Sequence, residues 1–106
     1  MKTLQFEVAG INHRINDYTK AKVERGDALL LKPEPTNKFD PAAVAVFKGD
    51  IQIGYVPRTH THQVLEEIKA GNLIEKCVAD TVWPRGCWIT VSFGEEEKEK
   101  SDAQPT

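Results

Sequence analysis

The apolar residues of this chain come in short runs, most of period two, and Gly or Pro closes nearly every run. No other feature constrains the fold as much, because a chain punctuated this often builds many short strands rather than a bundle of long helices. Leu4, Phe6 and Val8 alternate with Gln5, Glu7 and Ala9, and Gly10 follows as a site for a bulge or bend. Ala28–Leu31 is a short apolar strand that stops at Lys32-Pro33-Glu34-Pro35, where two prolines remove ladder donors. Thr36–Pro41 is then a loop. Ala43–Phe47 is a strong strand, and Lys48-Gly49-Asp50 turns it into Ile51–Tyr55 as a hairpin. Leu73–Trp83 and Cys87–Phe93 are two further strands around Pro84-Arg85-Gly86. Alternation in the last run sets Trp88 with Thr90 and Ser92 but leaves open whether Trp88 points in or out. The polar stretch Asn16–Gly26 has weak periodicity and reads as a long loop.

One segment keeps helical spacing. Val64, Leu65 and Ile68 share a face, Glu66, Glu67 and Lys69 share the other, Pro57 suits the first turn, and Gly71-Asn72 supplies a left-handed stop. The predicted class is mainly β with minor α. It is a small barrel or sandwich of about six strands, with one or two helices and a helix capping one end.

Charge divides the chain. Residues 95–106 carry five acids against two lysines, whereas residues 1–94 carry 12 basic and 11 acidic groups. The first part reads as one domain, 1–94. The second has Ala103 as its sole apolar residue and reads as a disordered acidic tail. A nearly neutral domain lacks the broad basic footprint of a duplex-coating protein, so nucleic-acid contact would be small and local. No apolar run approaches the roughly 20 residues of a spanning helix. Glu7 stands where a signal peptide would be apolar, and Cys77 and Cys87 are too few for a disulfide framework. The expected setting is reduced and cytoplasmic, with both cysteines structural.

A catalytic set is not evident. Ser92 and Ser101 lack nucleophile-elbow glycines, no phosphate-binding glycine motif occurs, and His13, His60, His62, Cys77 and Cys87 make no zinc spacing. The expectation is a non-enzyme without metal or cofactor, with His60 and His62 as exposed helix residues. The unusual segment is Glu34-Pro35-Thr36-Asn37-Lys38-Phe39-Asp40-Pro41-Ala42-Ala43-Val44. Between stiffening prolines it sets an amide, a cation, an aromatic ring and a carboxylate. Two readings are open: Asn37 and Asp40 bond their own backbone while Phe39 dips into the core, or the four form a binding edge.

The run Glu34–Val46 resembles the EP.N.(Y/F)D..A(V/I).V signature of HIRAN domains. Val8-Ala9-Gly10-Ile11 is similar to that family's first strand and its glycine. Gly26-Asp27 with Leu29 and Leu31 is similar to its second strand, and Ile53-Gly54-Tyr55-Val56-Pro57-Arg58 to its step into the helix. The matches keep family order over roughly residues 4–94. The resemblance, to the stand-alone bacterial or phage kind, implies a small OB-like β-barrel. It also implies a DNA-binding function: capture of single-stranded DNA at a 3′-hydroxyl end, in repair, replication-fork processing or DNA defence.

Carried onto this chain, Phe39 would stack a terminal base. Asn37 would bond sugar-phosphate or a base edge. Asp40, an acceptor when ionised, would welcome a 3′-hydroxyl and repel a continuing phosphate. Arg58 would pair with a phosphate beside Tyr55. Asn12, His13 and Arg14 stand where 3′-end-binding members place an Arg-Tyr-Tyr-like aromatic pair, and Trp83 lies at a hairpin tip that reaches the same side in the family. With Arg14, Lys32, Lys38 and Arg58 as the available cations, log affinity would fall with log salt no more steeply than about −3, at roughly 0.7 per phosphate. The alternative is a protein-interaction module that docks onto a helicase or nuclease.

Overall fold

The computed structural model describes residues 2–94, so the acidic segment 95–106 lies outside the described residues. In chain order the elements are β1 (Lys2–Glu7), a 3₁₀ turn (Ile11–Arg14), α1 (Ile15–Ala21), β2 (Leu30–Pro33), β3 (Val44–Lys48), β4 (Ile51–Tyr55), α2 (Arg58–Lys69), β5 (Ile74–Trp83) and β6 (Gly86–Phe93). They form two three-stranded antiparallel sheets, ordered β1-β6-β5 and β2-β3-β4. Each sheet has a central strand built to be covered on both sides. In β3, Val44, Ala45 and Val46 are all fully buried. In β6 every residue except Trp88 is buried. Phe6, Val44, Val46, Ile53, Val64, Ile89, Val91 and Phe93 fill the space between the sheets and α2.

The class is mainly β as expected, but the two sheets are not closed into the barrel that the resemblance implies. The sheets meet at two corners through isolated bridges, Ala9 with Tyr55 and Ala28 with Val78, rather than through continuous ladders. At the first corner Gly10 turns away with a φ of 77° directly after Ala9, so β1 cannot extend along β4. At the second, the chain leaves β5 after Leu29 and pairs with β3 from Leu30 onward. The first corner is also a close approach. A Cβ on Gly54 would lie 2.5 Å from the Ala9 carbonyl oxygen and 2.6 Å from a Val8 methyl.

One further reading is corrected. Asn16–Gly26 is not all loop, because α1 occupies Ile15–Ala21. Its inward face is narrow: Tyr18 and Ala21 are buried and Ile15 packs on the core beside them. A tyrosine and an alanine give little hydrophobic contrast, so the helical period was masked. The β5–β6 ladder slips by one residue between Ala79 and Thr81, and Cys77 stands opposite Val91. The α2 stop behaves as expected: Gly71 adopts a φ of 86°, its N–H bonds the Ile68 carbonyl, and the Asn72 N–H bonds that of Glu67.

Candidate nucleic-acid interface

The proline-framed loop between β2 and β3 is organised by its own polar side chains. The Asn37 Oδ1 accepts from the Phe39 N–H at 2.8 Å and the Asp40 N–H at 3.0 Å. Its Nδ2 donates to Glu34 Oε1 at 2.9 Å, and the Tyr55 hydroxyl donates to the same oxygen at 3.1 Å. Asp40 Oδ1 accepts from the Ala42 N–H at 2.9 Å. Asn37 and Asp40 are therefore turn formers, as their types allow. Phe39 does not dip into the core. Its side chain is 95% exposed, held outward by a loop whose backbone is fixed on both sides of it. Asp40 Oδ2 faces the Arg58 Nε at 3.8 Å, and Arg58 itself is exposed.

Beside this loop lies a cleft of about 320 Å³. Asn37, Phe39, Asp40, Tyr55 and Arg58 line it, with Ala43 and Val56 among its apolar walls. Five of the nine residues singled out from sequence thus come together. Chain order alone separates 37–40 from 55–58. The β3–β4 hairpin brings them side by side, pairing Ala45 with Tyr55.

A second cleft, of about 500 Å³, opens on the other side of Ala9-Gly10, which line both. Asn12 and His13 line it, as do Pro57, Thr59 and His60 from the start of α2, and Arg85 and Trp88 from the β5–β6 hairpin. The His60 ring packs on Phe6 with centroids 5.2 Å apart, and its Nδ1 is 2.9 Å from the Thr59 hydroxyl. The start of α2 reaches both clefts, with Arg58 in one and Thr59 and His60 in the other. Its first turn carries no acid of its own and no side-chain cap.

Two of the singled-out residues line neither cleft. Arg14 is 3.7 Å from Asp17 on the next turn. Trp83 sits at the end of β5, where its carbonyl accepts from the Tyr18 hydroxyl at 3.0 Å. Of the other cations considered, Lys32 lies over the Phe47 ring at 4.4 Å, and Lys38 is exposed on the loop beside Phe39. Sequence reasoning missed His60, Arg85 and Trp88. Trp88 is 43% exposed, and the signal that identifies it is the pairing of Trp88 with Glu7, which puts both on the outer face of the sheet.

Both cysteines are free and buried. Burial pushes the Cys77 thiol up to about 12. Burial is also the main cause that pushes Cys87 up to about 11. At neutral pH neither supplies a thiolate. Among the described residues no group of three His, Cys, Asp or Glu side chains could hold a metal ion. No described helix is long and apolar enough to cross a membrane.

Among the described residues, six strands in two sheets, two helices and a pair of open clefts edged by aromatic and cationic side chains define a small β binding domain. The sequence matches the family model of the HIRAN domain over residues 1–92. The chain belongs to the HIRAN domain family, a family of DNA-binding domains. The crystal structure of the HIRAN domain of human HLTF matches with a TM-score of 0.73 at 17% identity, covering 94% of this chain and 81% of that one. The crystal structure of a protein from Lactobacillus plantarum matches with a TM-score of 0.66 at 16% identity, covering 86% and 98%. At these identities the likeness is one of fold. Comparison with curated proteins returns no match.

Proposed function

We propose that this chain binds single-stranded DNA and seats a 3′-hydroxyl end in the cleft beside the Glu34–Ala43 loop. The observation that carries this reading is the Phe39 ring, 95% exposed on a loop fixed by Asn37. A large apolar ring held in water by a rigid loop gains by stacking on a base, and stacking tolerates any base. Asp40 has one oxygen bonded to the Ala42 N–H. Its other oxygen accepts the terminal hydroxyl and repels a phosphate at the same place. Arg58 holds a backbone phosphate. Asn37 sets the loop and has one amide hydrogen left for a sugar or phosphate oxygen. Tyr55 braces Glu34 from below. Asn12 and His13 border the path beyond Gly10, and Arg14 lies just past it. Trp83 has no part in this mechanism. The cellular setting we favour is repair, replication-fork processing or DNA defence, where a helicase or nuclease exposes such ends.

The test is fluorescence anisotropy at low salt with a labelled single strand ending in a 3′-hydroxyl, the same strand ending in a 3′-phosphate, and a blunt duplex. The expected order is hydroxyl, then phosphate, then duplex, and Asp40→Ala abolishes the difference between the first two. Equal binding of both single strands by the native protein removes end sensing and keeps strand binding. No binding of any of them favours a protein-docking module, to be tested by capture of a helicase or nuclease partner.

A further inference from the structure

We infer that the second cleft, between the 3₁₀ turn, the start of α2 and the β5–β6 hairpin, carries the nucleotides on the 5′ side of the terminal one, with Trp88 as stacking platform and Arg85 as phosphate contact. The inference rests on the single-strand reading above and extends it from the Asn12-His13 rim, which that reading uses, to the rest of the second cleft.

Continuity is the first argument. Ala9 and Gly10 line both clefts, and the start of α2 contributes Arg58 to one and Thr59 and His60 to the other. A chain leaving the Phe39 cleft over Gly10 meets no side chain at that residue. It then enters a space of about 500 Å³.

Chemistry is the second. Trp88 is the one exposed residue of β6, where its neighbours Cys87 and Ile89 are fully buried. An indole left 43% exposed beside a cleft offers a wide face to a planar ligand. Arg85 occupies the hairpin turn, is exposed, and makes no ion pair among the described residues. His13 and His60 add two more nitrogen donors or acceptors, and Glu7 is the sole acid of the lining. An aromatic face with a cation beside it is what single-strand grooves use along the backbone. The tip that carries Arg85 is held in place, because the buried Tyr18 hydroxyl shares its one O–H between the carbonyls of Trp83 and Gly86 on either side of the turn.

The experiment is titration calorimetry of the full chain with two unlabelled oligothymidylates ending in a 3′-hydroxyl. One is about two nucleotides long and fills only the terminal cleft; the other, about eight, is within the range of a small β domain's footprint. The native protein is expected to bind the longer strand more tightly. Trp88→Ala should weaken the longer strand about tenfold and leave the shorter one unchanged, with Trp88→Phe recovering most of the loss. Arg85→Ala should flatten the salt slope for the longer strand by about 0.7. Both side chains are exposed, and thermal melts of the variants should match the native protein. Equal affinity of the native protein for the two lengths overturns this inference and leaves the terminal site standing. So does a Trp88→Ala variant that binds the longer strand like the native protein, or one that loses the shorter strand as well. Failure of the native protein to bind either strand overturns the single-strand reading and this inference together.

Discussion

The two clefts share a wall and are built in opposite ways. The first is dominated by one contiguous loop whose side chains bond one another. Asn37, Asp40 and Glu34 fix the backbone, and Phe39 is presented by a structure that exists before any ligand arrives. The second is assembled from four segments distant in sequence: the end of β1, the 3₁₀ turn, the start of α2 and the β5–β6 hairpin. It has no internal polar network of comparable density. Its geometry depends on how the two sheets and the hairpin tip are held. Local rigidity thus guards one cleft and tertiary packing the other, so substitutions can be chosen that damage both, only the second, or only the first.

Gly54→Ala should collapse the distinction and have the largest effect. The new methyl would lie 2.5 Å from a backbone oxygen of Ala9, which cannot rotate away as a side chain end would. The Ala9–Tyr55 bridge, with N–H to carbonyl bonds of 2.7 and 2.8 Å, would have to open. That bridge forms the wall common to the two clefts. We expect a loss of about 3 kcal/mol, the upper end for overpacking, read as a lowered denaturant midpoint with both oligonucleotide lengths bound weakly. An unchanged midpoint means that the corner flexes and the shared wall is not a rigid one.

Tyr18→Phe should separate the clefts. The hydroxyl sits in a buried place, and burial, with Cys87 second, pushes it above its ordinary titration range. Its removal leaves the Trp83 and Gly86 carbonyls without that donor, at a cost of about 1–2 kcal/mol. The hairpin tip loosens, so binding of the longer strand should fall while the shorter strand, seated in the first cleft, is unaffected. Equal losses for both strands would place the two clefts under one common constraint.

Asn37→Ala is the converse. It deletes the acceptor for two backbone N–H groups and the donor to Glu34, on a loop open to water that can replace part of what is lost. The expected cost is about 1 kcal/mol in stability. Binding of the shorter strand should fall further than this, because Phe39 is no longer held outward. Asn37→Asp keeps the acceptor but sets a carboxylate against Glu34, and it should not rescue.

What could be read from sequence follows the same division. Strands β1, β3, β4, β5 and β6, helix α2 and the Glu34–Ala43 loop are each specified by contiguous residues: alternating apolar positions, a Gly49-Asp50 turn, a Gly71 stop, two prolines. The exposure of Phe39 was not readable, because its alternatives differ by which side of a turn the ring occupies. Helix α1 was hidden since its buried residues are Tyr18 and Ala21, the one partly polar and the other too small to stand out. Strand count leaves barrel and sandwich open, and the barrel was implied by the resemblance alone; closure is a property of ladder ends, and here Gly10 diverts one of them. Arg85, Trp88 and His60 could not be grouped from sequence at all. Only the register that pairs Glu7 with Trp88, and the packing of α2 on Phe6, bring them together.

The finest comparison lies within the first cleft, between the cation and the carboxylate that share it. Arg58 is 85% exposed, and its 3.8 Å contact with Asp40 is the kind of surface pair worth little to stability. Arg58→Gln should therefore leave the melting temperature where it is. Loss of one phosphate contact should flatten the salt dependence by about 0.7. The informative readout is discrimination between strand ends. If Arg58 holds an internal phosphate and also offsets the charge of Asp40, removing it leaves the carboxylate free to repel a terminal phosphate. Preference for a 3′-hydroxyl over a 3′-phosphate should then increase even as overall affinity falls. If preference shrinks instead, Arg58 stands next to the hydroxyl rather than behind it. The end of the strand would then be sensed by the pair together and not by Asp40 alone.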